Sequence, residues 1–225
     1  MIHGARPKVC RRFVGGVGVS GIDLGSWFES HASSVRTNLD RYFGATEGYR
    51  FTGRHFEHYA AMGHPNRFEP SDLLAIESLS VSLPTEVSAQ LFIEQSDFFS
   101  ELLEEIPANV DIWNVPRWVL DDDHPAAELH RRLKSLDDVG AVKAGKLLAA
   151  KRPRLIPIYD DFVSSELKPA HGKFWVSMHD QLTDPALRAG IASVCSNAPD
   201  HVSLLRRIDV AIWMHVWVRR SGSTT

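Results

Sequence analysis

The sequence predicts an all-α protein, and three observations support this fold class. Apolar residues recur at helical spacing along most of the chain, whereas the alternation typical of β-strands is rare. Prolines divide the periodic stretches into segments of helical length. The 225 residues are 44% hydrophobic, which is enough apolar material for a sizeable core. We therefore expect many short helices, arranged as two lobes with a cleft between them or as one compact bundle.

Helices in the first half of the chain are predicted from apolar spacing and proline positions. Pro70 suits the first turn of a helix, whereas Pro84 and Pro107 end the segments before them because an interior proline removes a hydrogen bond. The predicted segments are 26–43, a helix around Tyr59, 70–83 and 85–106.

The second half follows the same logic around a central turn. Pro125 occupies a first-turn position after two polar residues, and the turn at 137–140 separates this helix from the next. Residues 155–159 are predicted to be extended, because the residue before a proline is pushed out of the α region. The remaining helices are predicted at 141–150, from 160 or 161 onward, at 173–182, at 185–194 and at 202–218.

Both ends of the chain lack helical periodicity. Residues 1–22 are rich in Gly and Arg and predict a flexible tail, as do residues 221–225, leaving a helical domain over 23–220. Two isolated cysteines, no recognisable secretory segment and no apolar run of about 18 residues favour a cytoplasmic protein without a membrane span.

The most informative stretch is residues 136–161. A tight turn at 137–140, with Gly140 expected to adopt a positive φ, joins two helices over about 127–150. After an extended segment, Asp160 and Asp161 open the next helix. Either aspartate can serve simply as a helix cap, which is a common role for this residue type.

This stretch resembles the helix-hairpin-helix and following aspartate of the base-excision DNA glycosylases, whose core reads roughly Leu-Pro-Gly-Val-Gly-x-x-x-Ala. The matching residues are Leu136, Val139, Gly140 and Ala144. The resemblance implies a helical glycosylase-like fold and a hairpin that grips duplex DNA. It implies that Asp160, 18 positions after Val142, stabilises positive charge on the sugar and helps a water attack, with Asp161 as the alternative. The DNA-binding candidates are Val139, Gly140, Lys143, Lys146, Lys151 and Arg152.

Three departures from that pattern limit the activity that it implies. Asp138 replaces the first hairpin glycine, and its carboxylate would repel a phosphate. Val142 occupies the position of the Schiff-base lysine found in bifunctional members, so the implied enzyme is a monofunctional glycosylase. Cys10 and Cys195 are the only cysteines, too few for the iron–sulfur cluster of some members.

A second resemblance covers other parts of the chain. The strings FTGRHFE at 51–57, DLLAIESLSV at 72–81 and KAGKLLAxKRPRLIPxYD at 143–160 are similar to an uncharacterised actinobacterial domain-of-unknown-function family, number 6308. It implies a fold shared with relatives and no particular activity.

Charge is unevenly distributed along a chain whose net charge is −3. Residues 91–128 carry ten acidic residues against Arg117 alone, whereas residues 130–154 carry eight Lys or Arg against Asp137 and Asp138. The basic segment favours phosphate contacts through the hairpin. The alternative is that the two segments pair with each other or cover opposite, solvated helix faces.

The sequence therefore supports two hypotheses of different classes. The first is a DNA-binding protein with monofunctional glycosylase chemistry at Asp160, without a metal or cofactor. Residues 121–124 contain three aspartates and a histidine, but adjacent carboxylates point in different directions, so we expect no metal site there. The second hypothesis is a catalytically inactive helical module that binds a protein or a small ligand.

Overall fold

A computed structural model describes residues 21–44 and 51–222 of the chain. The predicted tail at 1–22 lies almost entirely outside the described residues, and so do residues 223–225. The described residues contain α-helices and short helical turns but no strand, which confirms the all-α class for this part of the chain. The α-helices are α1 Leu24–Phe43, α2 Phe56–Ala60, α3 Pro70–Ser78, α4 Thr85–Ala89, α5 Ser96–Glu104, α6 Pro125–Lys134, α7 Ala141–Lys151, α8 Asp161–Leu167, α9 Phe174–Leu182, α10 Pro185–Val194 and α11 Leu204–Gly222.

Local capping residues set several of these helix ends. Asp23 begins α1, where its carboxylate accepts a hydrogen bond from the backbone N–H of Ser26 at 2.9 Å. Gly44 ends α1 in the left-handed conformation, at φ 92°. Asp184 caps α10 in the same way as Asp23, and Pro185 follows it at the first helical position. These ends lie within a few residues of the predicted ones because their signals are local.

The segment predicted as one helix over 85–106 is interrupted. A π-helical turn, Gln90–Glu94, separates α4 from α5, and the backbone N–H of Gln95 donates to the Gln90 carbonyl at 2.9 Å. A π-helical turn contains one residue more than an α-helical turn. Apolar spacing does not reveal this insertion, because the buried face continues on both sides of it through Leu91 and Phe99. The helix predicted over 70–83 also ends early, since Ser80 adopts a positive φ of 61°.

One continuous cluster of buried apolar side chains draws members from every described α-helix. The long C-terminal helix α11 packs against α1 and α8, while α7 packs against α3 and α6. The described helices therefore share one core, as in the compact alternative. None of them combines the length and apolarity that a membrane span requires.

Candidate functional site

The turn between α6 and α7 occupies residues 135–140 and forms the hairpin. The prediction that Gly140 adopts a positive φ is wrong: Gly140 has φ −75° and ψ 176° and forms the N-cap of α7. Asp138 is the residue in the left-handed region, at φ 59°. Asp tolerates this conformation better than most side chains do, because its short polar group bonds locally. Asp138 thus supplies the backbone conformation at the position where the resembled glycosylases have a glycine.

Within the hairpin, one carboxylate and one ammonium neutralise each other. Lys143 Nζ lies 2.7 Å from Asp138 Oδ2. Val139 is buried, and its backbone N–H donates to the Leu136 carbonyl at 3.1 Å. Gly140 is exposed, and no side chain caps the N-terminus of α7. Of the predicted DNA-binding residues, Gly140 and Lys143 are therefore the two whose surfaces reach the outside of the hairpin.

Two of the predicted DNA-binding lysines are internal. Lys146 is 6% exposed, and its Nζ donates to the Leu79 carbonyl at 3.1 Å. Lys151 Nζ lies 2.5 Å from Asp72 Oδ2 and also donates to the His64 carbonyl at 3.0 Å. The sequence interpretation placed both on a solvated face that DNA could reach. The structure instead places them inside, where acceptors distant in sequence bond their ammonium groups.

Arg152 is likewise internal, at 1% exposure. Its guanidinium donates hydrogen bonds to the acceptors Ile106 O at 3.0 Å, Pro65 O at 2.7 Å, Lys151 O at 2.9 Å, Asn66 Oδ1 at 2.9 Å and Leu103 O. Burial lowers the pKa of Arg152 to about 10. The side chain thereby ties the ends of α5 and α7 to residues 65 and 66, which is a structural role.

Asp160 is the N-cap of α8, in agreement with the capping alternative. Its Oδ1 accepts hydrogen bonds from the backbone N–H groups of Phe162 at 3.0 Å and Val163 at 3.1 Å. Within the described residues, Oδ2 takes part in no hydrogen bond. Asp161 is the first residue of α8 and is exposed. The cap fixes the Asp160 carboxylate without using both of its oxygens.

Asp160 and Asp161 both line a cavity of about 340 Å³ beside α7, which is the second helix of the hairpin. The cavity lies where α7, α11 and the start of α8 meet, so it brings Asp160 together with Lys146 and Val142 of α7. Its wall is completed by Tyr42 of α1, by Ile158 and by residues 51–53 and 78–81. The charged side chains that line it are Lys146, Asp160, Asp161, Arg206 and Asp209.

Sequence reasoning did not identify two of these residues, Arg206 and Asp209. Both are buried on α11, where the Arg206 guanidinium donates to the Asp209 carboxylate, to the Tyr42 hydroxyl at 2.6 Å and to the Gly53 carbonyl at 3.1 Å. Glu57 Oε1 lies 3.7 Å from Arg206 Nε. A signal was present in the sequence, since Arg and Asp stand three residues apart in a helix that is otherwise largely apolar.

The ionisable groups of this cavity influence one another. Burial raises the pKa of Asp209 to about 6, and the charge of Asp160 adds to the increase, although Arg206 opposes it. Burial lowers the pKa of Lys146, against the effect of Asp160 and Asp209. Glu57 is not among the lining residues of this cavity, but its carboxylate lies 3.7 Å from Arg206 Nε, and burial raises its pKa. Perturbed ionisable groups that share a cavity are typical of functional sites, although buried ion pairs also produce them.

A larger cavity of about 860 Å³ lies elsewhere, between residues 57–65, α10 and the loop before α11. Its cations are already bonded to the protein itself. Arg154 Nη2 lies 2.6 Å from Asp111 Oδ2, Arg188 donates to the Leu182 carbonyl at 2.6 Å, and Arg207 donates to the Val202 carbonyl at 2.9 Å. The smaller cavity is the stronger candidate, because both predicted aspartates line it.

No group of three or more His, Cys, Asp or Glu side chains in the described ranges is arranged to hold a metal ion.

Comparison with known proteins identifies a family but no activity. Comparison with the curated proteins gave no match, and comparison with the solved structures gave none. The glycosylase-like fold is therefore not confirmed beyond its all-α class. A family model matches residues 35–216, which is most of the chain. On that match, the chain belongs to the family described as "Family of unknown function (DUF6308)".

Proposed function

We propose that this protein binds duplex DNA through its hairpin and hydrolyses the bond between a base and its deoxyribose, with Asp160 as the catalytic carboxylate. One observation carries the proposal. Asp160, fixed at the start of α8, shares a cavity with Lys146 of the second hairpin helix. A hairpin that holds the DNA backbone would thus present the nucleotide next to the carboxylate.

The geometry of Asp160 suits this reaction. Its Oδ1 is held by two backbone N–H groups, so the carboxylate keeps a fixed orientation. Oδ2 remains for the substrate. In the reaction, water adds to the sugar carbon as the carbon–nitrogen bond breaks, and the base leaves with a proton. A carboxylate beside that carbon stabilises the oxocarbenium-like transition state and accepts a proton from the attacking water.

The hairpin offers contacts to the phosphates of the DNA backbone, whereas Asp160 would contact the sugar. The N-terminus of α7 has no side-chain cap, so its first-turn N–H groups are left for an acceptor from outside the chain. Lys134 is exposed at the end of α6, close in sequence to the turn. Such contacts reach phosphates and not base edges, so we expect weak, salt-sensitive binding without sequence preference.

DNA binding is tested by fluorescence anisotropy with a labelled duplex at low and physiological salt. The double variant Lys134→Glu with Lys143→Glu should weaken binding at low salt by more than tenfold, because each change removes a cation and adds an anion. The matched control, Arg36→Glu with Lys168→Glu, changes the net charge equally at exposed residues of α1 and at the end of α8. Equal losses in both double variants, or no binding at low salt, would reject the hairpin as the contact.

Catalysis is tested with duplexes that carry alkylated, deaminated or oxidised bases, followed by alkaline cleavage of abasic sites. Asp160→Asn should abolish base release but keep the fold, since Asn caps helices about as well as Asp. Asp161→Asn, which alters the neighbouring exposed carboxylate, is the control and should remain active. An inactive Asp161→Asn beside an active Asp160→Asn would move the assignment by one residue.

The alternative function is a catalytically inactive helical module that binds a protein or a small ligand. The placement of Asp138 favours it, because a carboxylate lies in the hairpin where DNA would approach. The internal positions of Lys146, Lys151 and Arg152 favour it as well, since they remove three cations from the surface. Binding of a small ligand in the cavity without any duplex affinity would support this alternative.

A further inference from the structure

We propose that the cavity beside Asp160 binds a planar nitrogen heterocycle, which donates an N–H hydrogen bond to Asp209 at the cavity floor. This inference deepens the proposed function, because it names the chemical class of the group that enters the site and the residue that recognises it. Nucleobases belong to this class.

The first argument is an unused acceptor. Asp209 is 4% exposed, and its Oδ1 is buried without any hydrogen-bond partner. Arg206 holds the other carboxylate oxygen, so the orientation of the group is fixed. A buried acceptor without a donor costs about 1–3 kcal/mol. A ligand N–H in the cavity would remove that cost.

The second argument is the balance of charge around the cavity. Asp160, Asp161 and Asp209 line it, and Glu57 lies against Arg206, whereas the cations are Lys146 and Arg206. Arg206 already donates to Asp209, Tyr42 and Gly53. This excess of carboxylates disfavours an anionic ligand. Lys146 uses one of its donors on the Leu79 carbonyl, so the others can bond a ring nitrogen or carbonyl of a neutral ligand.

The third argument is the shape of the walls. Tyr42 and Phe51 stack with their ring centroids 5.2 Å apart and their planes at 12°. Phe162 and Trp213 stack at 5.3 Å and 18°, and the Trp213 ring meets those of Tyr42 and Phe51 edge-on, with centroids 6.2 Å and 6.0 Å away. All four rings line the cavity. Aromatic surfaces favour flat, apolar ring faces, whereas the charged floor favours a polar ring edge. A nitrogen heterocycle presents both.

The experiment measures binding of the free bases uracil and adenine to the full chain by isothermal titration calorimetry. Free bases contain no glycosidic bond, so binding is measured apart from catalysis. Asp209→Asn should lower the affinity at least tenfold, because the amide replaces one acceptor oxygen by a donor that opposes the ligand N–H. The control Asp97→Asn, at an exposed residue of α5 that does not line the cavity, should leave the affinity within about twofold.

A second variant keeps the test decisive if Asp209→Asn does not fold. Val142→Phe enlarges an uncharged, half-buried side chain on the cavity wall and leaves the buried charges in place. It should abolish binding of the base while the protein still unfolds cooperatively in urea. Unchanged affinity in Val142→Phe, or in a folded Asp209→Asn, would overturn the proposal. It would also be overturned if neither uracil nor adenine bound to the protein.

The outcomes separate this inference from the proposed function. Base binding that depends on Asp209, together with no base release from any duplex, would support the ligand class and reject the glycosylase. Base release that depends on Asp160 but is insensitive to Asp209→Asn would support the glycosylase and reject the role of Asp209.

Discussion

Lys143 and Asp138 form an ion pair across the turn of the hairpin, with Lys143 Nζ 2.7 Å from Asp138 Oδ2. The Asp138 side chain is 71% exposed, so the pair contributes little to folding. Its effect is on the surface that DNA would meet: the carboxylate neutralises the ammonium of Lys143. Asp138 therefore opposes phosphate binding in two ways: its carboxylate repels a phosphate, and it pairs with the Lys143 ammonium that would otherwise attract one.

Asp138→Gly should strengthen duplex binding at low salt. The change removes the carboxylate, frees Lys143 and places a glycine where the backbone has φ 59°. We expect affinity to rise several-fold and the free energy of unfolding to change by less than about 1 kcal/mol. Fluorescence anisotropy and urea denaturation measure the two quantities.

Asp137→Gly is the matched control for this prediction. It removes the same charge from the adjacent exposed residue, which is not in the left-handed region, whereas Lys143 pairs with Asp138. We expect a smaller gain in affinity and a loss of stability. An equal gain in both variants would show that net charge alone governs binding and that the hairpin geometry has no part in it.

Local signals made much of the fold predictable. Pro125, Pro185 and Asp160 mark helix starts through capping and fixed φ angles, and each lies at or next to a helix start in the structure. The positive φ in the hairpin is the exception: glycine is the default residue for that conformation, so the sequence favours Gly140, but Asp138 adopts it.

The candidate site was only partly predictable, because its chemistry depends on distant partners. The Lys146 acceptor is the carbonyl of Leu79, which lies 67 residues away in the sequence. Lys151 pairs with Asp72, and no periodicity in the basic segment reveals that pairing. Arg206 and Asp209 are charges within a buried helix and become recognisable as a cavity floor only once α1, α7 and α11 meet.

Arg152→Met should destabilise the protein strongly. The methionine keeps much of the apolar stem but leaves several buried carbonyls without a donor, among them those of Ile106 and Leu103. We expect a loss of at least about 3 kcal/mol in the free energy of unfolding, measured in urea.

Arg154→Met provides the comparison for that measurement. Arg154 is half-exposed and pairs with Asp111, so its loss should cost less than about 1 kcal/mol. Comparable destabilisation by the two variants would contradict the structural role of Arg152. If Arg152→Met were fully stable but bound DNA more weakly, Arg152 would instead be a residue that contacts phosphates.

Ionisation of Asp209 should make stability fall as the pH rises. Its pKa is raised from 3.8 to about 6, so its stabilising contribution is complete below pH 3.8 and is lost as the pH rises through about 6. At 1.36 kcal/mol per pKa unit, the loss is on the order of 3 kcal/mol. The groups around this carboxyl are Arg206 beside it on α11, Tyr42 of α1, Glu57 of α2, Lys146 of α7 and Asp160 before α8.

Glu57 and Asp72 also have raised pKa values, so the wild-type curve alone does not isolate Asp209. The useful quantity is the difference in the free energy of unfolding between wild type and Asp209→Asn, measured from pH 4 to pH 7. We expect wild type to lose stability relative to the variant across this range. A difference that does not vary with pH would show that Asp209 stays in one protonation state throughout.

The last prediction concerns the fate of the DNA strand. If the proposed base release occurs, we expect it without strand nicking, because the glycosylase resemblance puts Val142 at the position of the Schiff-base lysine and a valine cannot form an imine. Lys146 complicates this expectation, since it lies one helical turn further along α7, lines the same cavity, and its pKa is lowered by burial. Its Nζ nevertheless donates to the Leu79 carbonyl at 3.1 Å, which holds the amine against the wall. Borohydride treatment during turnover should therefore trap no covalent adduct in the wild type. An adduct that disappears in Lys146→Met would make Lys146 the nucleophile of a bifunctional enzyme, whereas an adduct that persists in that variant would point to a different amine.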